Sequence, residues 1–276
     1  MFSKLFAAKP VLDEASAQWI FDAYAWALRN FDVAVFRDET ILVTPSNEHF
    51  PGRENSVHGM ATLIFQQVKT YAGMQHWPLR LVTDTACALP APHKIVIEGA
   101  LRGAQGKIPA NVDAAQQILV NYDPQLVGNP EAMIAGFAHT LAHHLGSVAQ
   151  EPPPGGVQNW PHLTEILAVF LGFGLMFANS AFNFRPSSCG SCSGAAAQRQ
   201  SFLSQYDITY ALALFCVLKG IPNRDVTRNL KKSLRPYYRK AVKDICGRQQ
   251  RLGELTSYIE GTVQRVESDA ASAAHA

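Results

Sequence analysis

The sequence predicts an α+β fold, and two observations support that prediction. Short β-branched segments bounded by Pro- or Gly-containing turns lie in the first half of the chain, whereas from residue 129 onward the apolar residues recur at helical spacing. The 276 residues are 47% hydrophobic and 17% charged, which is enough for a large core and excludes a disordered or collagen-like chain. The net charge of +2 argues against a globally basic nucleic-acid binder.

We expect one globular unit made of three stretches. Residues 1–150 form an α+β part that includes a histidine-bearing helix, residues 151–262 form a helical part, and residues 263–276 form a disordered tail rich in Ala and Ser. Five cysteines, an odd number in a chain of this length, do not indicate the disulfide framework of a small secreted domain. The first ten residues contain no apolar segment of signal-peptide length, so we expect a cytoplasmic protein.

Helical and extended segments alternate in the first half. Residues 13–31 place apolar side chains three and four apart, which predicts an amphipathic helix. Ser56 is suited to cap a second helix that ends near residue 71. Four short segments rich in β-branched and apolar residues predict strands. They are residues 40–44, 79–83, 94–98 and 117–122.

The second half is predicted to be helical almost throughout. Asn129, Pro130 and Glu131 combine a capping residue, a proline at the first helical position and an acid in the first turn, so a helix begins there and runs to about residue 145. The EPPPGG sequence at 151–156 cannot be helical and connects it to the next helix. The apolar run 166–182 has 17 residues, fewer than the roughly 20 that cross a membrane, so we expect a core helix and no transmembrane segment. The remaining helices are predicted over residues 161–182, 205–219, 223–234 and 237–262.

The helix that follows Asn129 carries the sequence HTLAH. Its His139 and His143 are four residues apart and project from one helix face. Two imidazoles at this spacing can bind one metal ion, and zinc takes a third nitrogen or oxygen ligand with an open position for water. Glu165 lies 22 residues beyond His143, near the start of the next helix, where it is a candidate third ligand. His162, three residues before Glu165, is a rival for that position.

This pattern resembles the gluzincins, the zinc metallopeptidases that have an HExxH helix and a glutamate ligand on a following helix. The resemblance is carried by His139, His143 and Glu165 and covers about residues 130–182. It implies a zincin-like fold, in which a small mixed sheet precedes the histidine helix and helices follow it. It also implies a Zn²⁺ ion held by those three side chains, and a cleft that accepts a peptide or protein segment.

The motif departs from the family at two positions. Its glutamate, the general base acting on the metal-bound water, is replaced by Thr140, whose hydroxyl has no useful basicity at neutral pH. The acid that many gluzincins carry four residues after the ligand glutamate is Val169 here. The leading hypothesis is therefore a zincin-like metal-binding protein with a degenerate site and impaired or absent peptidase activity. The alternatives are hydrolysis with another base such as Glu151, a site that has lost its metal but keeps the histidines, and chance spacing of the two histidines.

The charge of the chain is distributed unevenly. Residues 223–251 contain ten basic and two acidic residues, a net charge of +8, whereas the rest of the chain has a net charge of −6. This pattern indicates a cationic face that is either solvated or bound to an acidic protein, an anionic lipid or a nucleic acid. Tyr237 and Tyr238 lie among the basic residues, where they are candidates for base stacking. A non-metal interaction module that uses these basic helices is the alternative function.

One pair of cysteines is spaced for metal or redox chemistry. Cys189 and Cys192 form a C-x-x-C in a Ser- and Gly-rich segment, and the chain has no second pair to complete a zinc ribbon. We expect solvent-exposed thiols, with a reversible disulfide or a partial metal site as alternatives.

Overall fold

The computed structural model describes residues 11–83, 97, 99–107, 117–180 and 202–273, with the backbone alone for 262–273. The fold is mostly helical (65%) with a small parallel sheet, which confirms the α+β class. The predicted strand at 94–98 lies almost entirely outside the described residues, and the pair Cys189 and Cys192 lies outside them altogether. The helices are α1 (Glu14–Asn30), α2 (Val33–Asp38), α3 (Val57–Tyr71), α4 (Pro130–Ser147), α5 (Trp160–Ala168), α6 (Gly174–Ser180), α7 (Gln205–Leu218), α8 (Asn223–Asn229), α9 (Arg235–Gly247) and α10 (Gln249–Ala273). The strands are β1 (Leu79–Val82) and β2 (Ile118–Asn121).

The sheet of the described chain is one parallel pair. β1 and β2 are in register from Leu79 opposite Ile118 to Val82 opposite Asn121. Both strands were predicted, and their bounds agree with the prediction to within a residue. Leu79 and Leu81 are buried and Arg80 between them is exposed, so one face of the strand pair contributes to the core.

Residues 40–44 were wrongly predicted to be a strand. They have no regular secondary structure. The Val43 N–H donates to the carbonyl of Gly172, at a break in a helix, at 3.0 Å. Gly172 has φ +99°, and a Cβ atom there would lie 2.1 Å from the carbonyl oxygen of Ile41. A glycine is required at this point, since no other residue fits both the backbone conformation and the contact.

The helix predicted over 161–182 is interrupted at this glycine. α5 is followed by a π-helical turn, Val169–Phe173, and then by α6. The stretch Val157–Ser180 is the one helical segment of the described chain that is long and apolar enough to cross a membrane. All residues from 163 to 180 are buried inside the fold, packed against α4 and α7, as expected for the core helix that the sequence predicts.

The proline-rich connector is attached to α1 by two tryptophans. Trp19 and Trp26, two turns apart, donate their indole N–H groups to the carbonyls of Pro154 at 3.0 Å and Glu151 at 3.1 Å. Those carbonyls are three residues apart in the connector. The two bonds hold the connector against the surface of α1.

The C-terminal helices are shorter than predicted and are joined by turns. The helix expected over 223–234 ends at Asn229 and is followed by a 3₁₀ turn, Lys232–Leu234. The helix expected over 237–262 is divided between α9 and α10, and α10 continues to Ala273. α7 packs against α9, while α10 packs against α1 and α2.

Candidate functional site

The histidines of the HTLAH sequence lie on α4. The helix starts at the predicted position, with the Asn129 side chain accepting the N–H of Ala132 at 3.3 Å. His143 is exposed, whereas His139 and His144 are half-buried. Burial, with His143 beside it, lowers the pKa of His144 to about 4. The hydroxyl of Thr140 donates to the carbonyl of Gly136 one turn earlier at 3.2 Å, so it is engaged with its own helix.

Glu165 is directed to the start of α7. Its side chain is fully buried and accepts the backbone N–H groups of Phe202 at 3.3 Å and Leu203 at 2.9 Å. A buried carboxylate needs such donors to offset its lost hydration. Glu165 therefore attaches the segment before α7 to the core, a role that motif spacing does not indicate.

The residues do not fit the zinc site that the family resemblance implies. Within the described ranges, no group of three or more His, Cys, Asp and Glu side chains is placed to hold a metal ion. The predicted set of His139, His143 and Glu165 is thus not brought together. His162, the rival ligand, packs edge-on against Trp19 with ring centroids 6.3 Å apart, and it lines a pocket beside α1.

Glu151, the candidate alternative base, is held on α1. Its carboxylate forms an ion pair with Arg29 at 2.9 Å, and its backbone N–H donates to the side chain of Asn30 at 3.1 Å. The hydrogen bond from Arg29 lowers the pKa of the Glu151 carboxyl. These contacts, together with the indole bond from Trp26, give Glu151 a structural role at the connector.

Five of the ten basic residues in 223–251 form ion pairs or hydrogen bonds within the described chain. Arg248 pairs with Glu14 at 2.7 Å and with Asp244 at 2.9 Å, and Arg251 pairs with Asp22. Arg235 donates to the backbone carbonyl of Leu230 at 2.9 Å. The remaining two pair with one acid: Arg224 and Arg228 both contact Asp225.

The other five are close in sequence, within residues 231–243, and we call them the cationic face. Each is exposed, and none forms an ion pair with a carboxylate in the described part of the chain. They are Lys231, Lys232, Arg239, Lys240 and Lys243.

The arrangement of the cationic face is unfavourable for the isolated helix. Arg239 and Lys243 are four residues apart on α9, and Lys240 and Lys243 are three apart, so like charges repel along one face. Each such pair costs about 0.2–0.5 kcal/mol of helix stability. The mutual repulsion of Arg239, Lys240 and Lys243 therefore does not stabilise α9.

The two tyrosines beside these cations are not available for base stacking from the cationic face. Tyr238 is fully buried. Tyr237 packs against Tyr206 of α7 with ring centroids 4.7 Å apart. Sequence reasoning missed this tyrosine pair, because the two rings are 31 positions apart in the chain and lie on different helices.

Comparison with family models, with curated proteins and with solved structures finds no match for this chain. The function proposed below therefore rests on the geometry of the described residues.

Proposed function

We propose that this protein is an interaction module whose cationic face, Lys231, Lys232, Arg239, Lys240 and Lys243, binds an acidic segment of a partner protein. The supporting observation is that five exposed cations fall within one short stretch of sequence, residues 231–243, and none has a carboxylate partner in the described chain. Such a face raises the local concentration of anionic ligands and speeds their association.

An acidic protein segment suits this face better than a membrane or a nucleic acid. The large apolar side chains that are exposed in the described structure all lie outside residues 223–251, so the face offers no apolar group for insertion into a bilayer. Nucleic-acid binding normally adds aromatic stacking to the positive charge. Here Tyr237 and Tyr238 are turned away from the cations into protein contacts.

The test compares two triple variants with the same change in net charge. One is Arg239→Glu, Lys240→Glu and Lys243→Glu, and the matched control is Arg53→Glu, Arg80→Glu and Lys107→Glu, three exposed cations outside the face. The probe is a fluorescent twelve-residue peptide of alternating Asp and Glu at about 50 mM salt. We expect the first variant to weaken binding roughly tenfold to a hundredfold, since each exposed charge pair contributes about 0.2–1 kcal/mol and reversal adds repulsion.

The control should bind within about twofold of the original chain, because its cations lie outside the face. Equal weakening in both variants would mean that net charge alone attracts the peptide and would overturn the proposal. Tighter binding to vesicles rich in phosphatidylserine, or to a twelve-nucleotide oligothymidine, would assign the face to a lipid or nucleic-acid partner instead.

The zinc-dependent alternative, a zincin-like protein with a degenerate site, makes a different prediction. It expects about one zinc ion per chain in the purified protein, lost in a His139→Ala and His143→Ala variant. Elemental analysis measures this directly. We expect no stoichiometric zinc, because Glu165 is bound to the backbone of Phe202 and Leu203.

A further inference from the structure

A pocket lies where the first turns of α1 and α7 meet α9. It is a shallow depression, widely open to solvent, with a volume of about 530 Å³. We call it the tyrosine pocket. Its polar and aromatic lining comprises Asp13, Ser16, Ser204, Tyr206, Asp207 and Tyr237.

Two aromatic rings form a wall of the pocket. The rings of Tyr206 and Tyr237 are inclined at 53° to each other, with their centroids 4.7 Å apart. Tyr206 is 55% exposed, so its ring is accessible to a ligand. An aromatic face attracts a cation, and two inclined faces offer more contact than one.

The charges in the pocket are negative. Asp13 and Asp207 line it, and no lysine or arginine does so among the described residues. Burial, followed by the charges of Asp207, Asp244 and Asp13, raises the pKa of the Tyr237 hydroxyl. Each helix start contributes about half a positive charge, which is smaller than the full negative charge of its aspartate, Asp13 at the cap of α1 and Asp207 in the first turn of α7.

The polar atoms of the pocket can accept further hydrogen bonds. One oxygen of Asp13 accepts the N–H of Ser16 and one oxygen of Asp207 accepts the N–H of Ser204, both at 2.9 Å. A carboxylate offers about four acceptor positions, so both retain capacity for another donor. The hydroxyl oxygen of Tyr237 is buried, so a ligand in the pocket contacts the ring of Tyr237 and not its hydroxyl.

We infer that the tyrosine pocket binds an arginine side chain of a partner protein. A guanidinium ion carries five N–H donors, stacks on aromatic rings and pairs with carboxylates, so it matches each feature of the pocket. Lysine supplies the charge but not the planar stacking surface.

A second, adjoining pocket favours a peptide as the ligand that contains this arginine. It has a volume of about 240 Å³, shares Ser16 and Asp207 with the tyrosine pocket, and is lined further by Trp19 and His162. An extended segment with arginine in the tyrosine pocket places a neighbouring side chain against Trp19. This inference goes beyond the cationic face and does not depend on it.

The test uses the full chain with acetyl-arginine amide, and with acetyl-citrulline amide as an uncharged probe of the same shape. Titration is followed by the NMR signals of the tyrosine rings. We expect saturable binding of the arginine probe with a Kd on the order of 1 mM, which is typical of a small fragment. The citrulline probe should bind at least fivefold more weakly.

Two variants locate the site and one serves as the control. Tyr206→Leu removes an exposed ring, and Asp13→Asn removes a charge while keeping a good helix cap. Each should weaken the arginine probe at least fivefold without changing the thermal midpoint by more than about 2 °C. Tyr258→Leu, which removes a tyrosine of similar exposure on α10, should leave binding unchanged. Equal affinity for the two probes, no saturable binding up to 20 mM (about twentyfold the expected Kd), or full binding by both pocket variants would overturn the inference.

Discussion

The carboxylate of Glu165 accepts the backbone N–H of Leu203 at 2.9 Å, across 38 positions of the chain. This bond holds the backbone of the residue directly before Ser204, which caps α7. A residue predicted to bind a metal is therefore part of the support for a helix start. The consequence can be measured as stability.

We expect Glu165→Gln to lower the free energy of unfolding by about 1.5–3 kcal/mol, the range for hydrogen bonds to a charged group. Glutamine keeps one acceptor oxygen but turns an NH₂ group toward backbone donors. Denaturant unfolding measures the change, and the exposed Glu48→Gln should alter it by less than about 0.5 kcal/mol. A Glu165→Gln protein of unchanged stability that has lost bound zinc would instead support a ligand role.

Gly172 is expected to tolerate no side chain. Gly172→Ala should cost about 3 kcal/mol or more, because its φ is +99° and the new Cβ would meet the carbonyl oxygen of Ile41. Gly136→Ala in α4 is the matched control, since a Cβ there meets nothing within 4 Å. The control should raise stability by about 0.5–1 kcal/mol through helix propensity. Similar effects of the two substitutions in thermal unfolding would contradict this account of the helix break.

The tryptophans that hold the connector should differ in their contributions. Trp19→Phe removes a donor to Pro154 at a half-buried position, so we expect a loss of about 1 kcal/mol. Trp26 is 1% exposed and packs against Phe31 and Trp160, so Trp26→Phe also leaves a cavity and should cost about 2–3 kcal/mol. Chemical denaturation of both variants checks the order, and a larger loss in Trp19→Phe would show that packing at Trp26 is less important than inferred.

Lys69 makes the stability of the fold depend on pH. Its ammonium group donates to the carbonyl of Trp77 at 2.8 Å, and burial lowers its pKa from 10.5 to about 8. Between pH 8 and 10 the unfolded chain holds this proton more tightly than the folded chain, so stability from this group rises with pH. The rise should be on the order of 2 kcal/mol.

The matched measurement is the pH profile of Lys69→Met. The variant should lack the increase between pH 8 and 10, so the original chain should gain on the order of 2 kcal/mol relative to it across that range. Identical profiles for the two proteins would show that the folded-state pKa of Lys69 is not depressed.

Features set by neighbouring residues could be predicted from the sequence. The caps at Ser56 and Asn129, and the strands near residues 79 and 118, depend on contacts a few positions apart. The partner of Glu165 could not be predicted, because helical spacing shows which side chains share a face but not which backbone donors reach that face. The strand prediction for residues 40–44 was wrong for the same reason, since their β-branched composition gives no information on the helix break beside them.

The tyrosine pocket also combines features that the sequence predicts with one that it does not. Asp13 and the pair Ser204 and Asp207 are recognisable helix-start residues, and each start could be located from the chain alone. That the two starts and Tyr237 line one pocket depends on how α1, α7 and α9 pack together.

The burial of α5 and α6 also constrains the order of events during synthesis. The apolar stretch that ends at Ser180 is covered in part by α7, whose last residue is Leu218. At 5–20 residues per second the ribosome needs roughly 2–8 s to supply that cover. During this interval the growing chain carries an uncovered apolar surface, so its yield in the cell should depend on chaperones that shield such surfaces until α7 emerges.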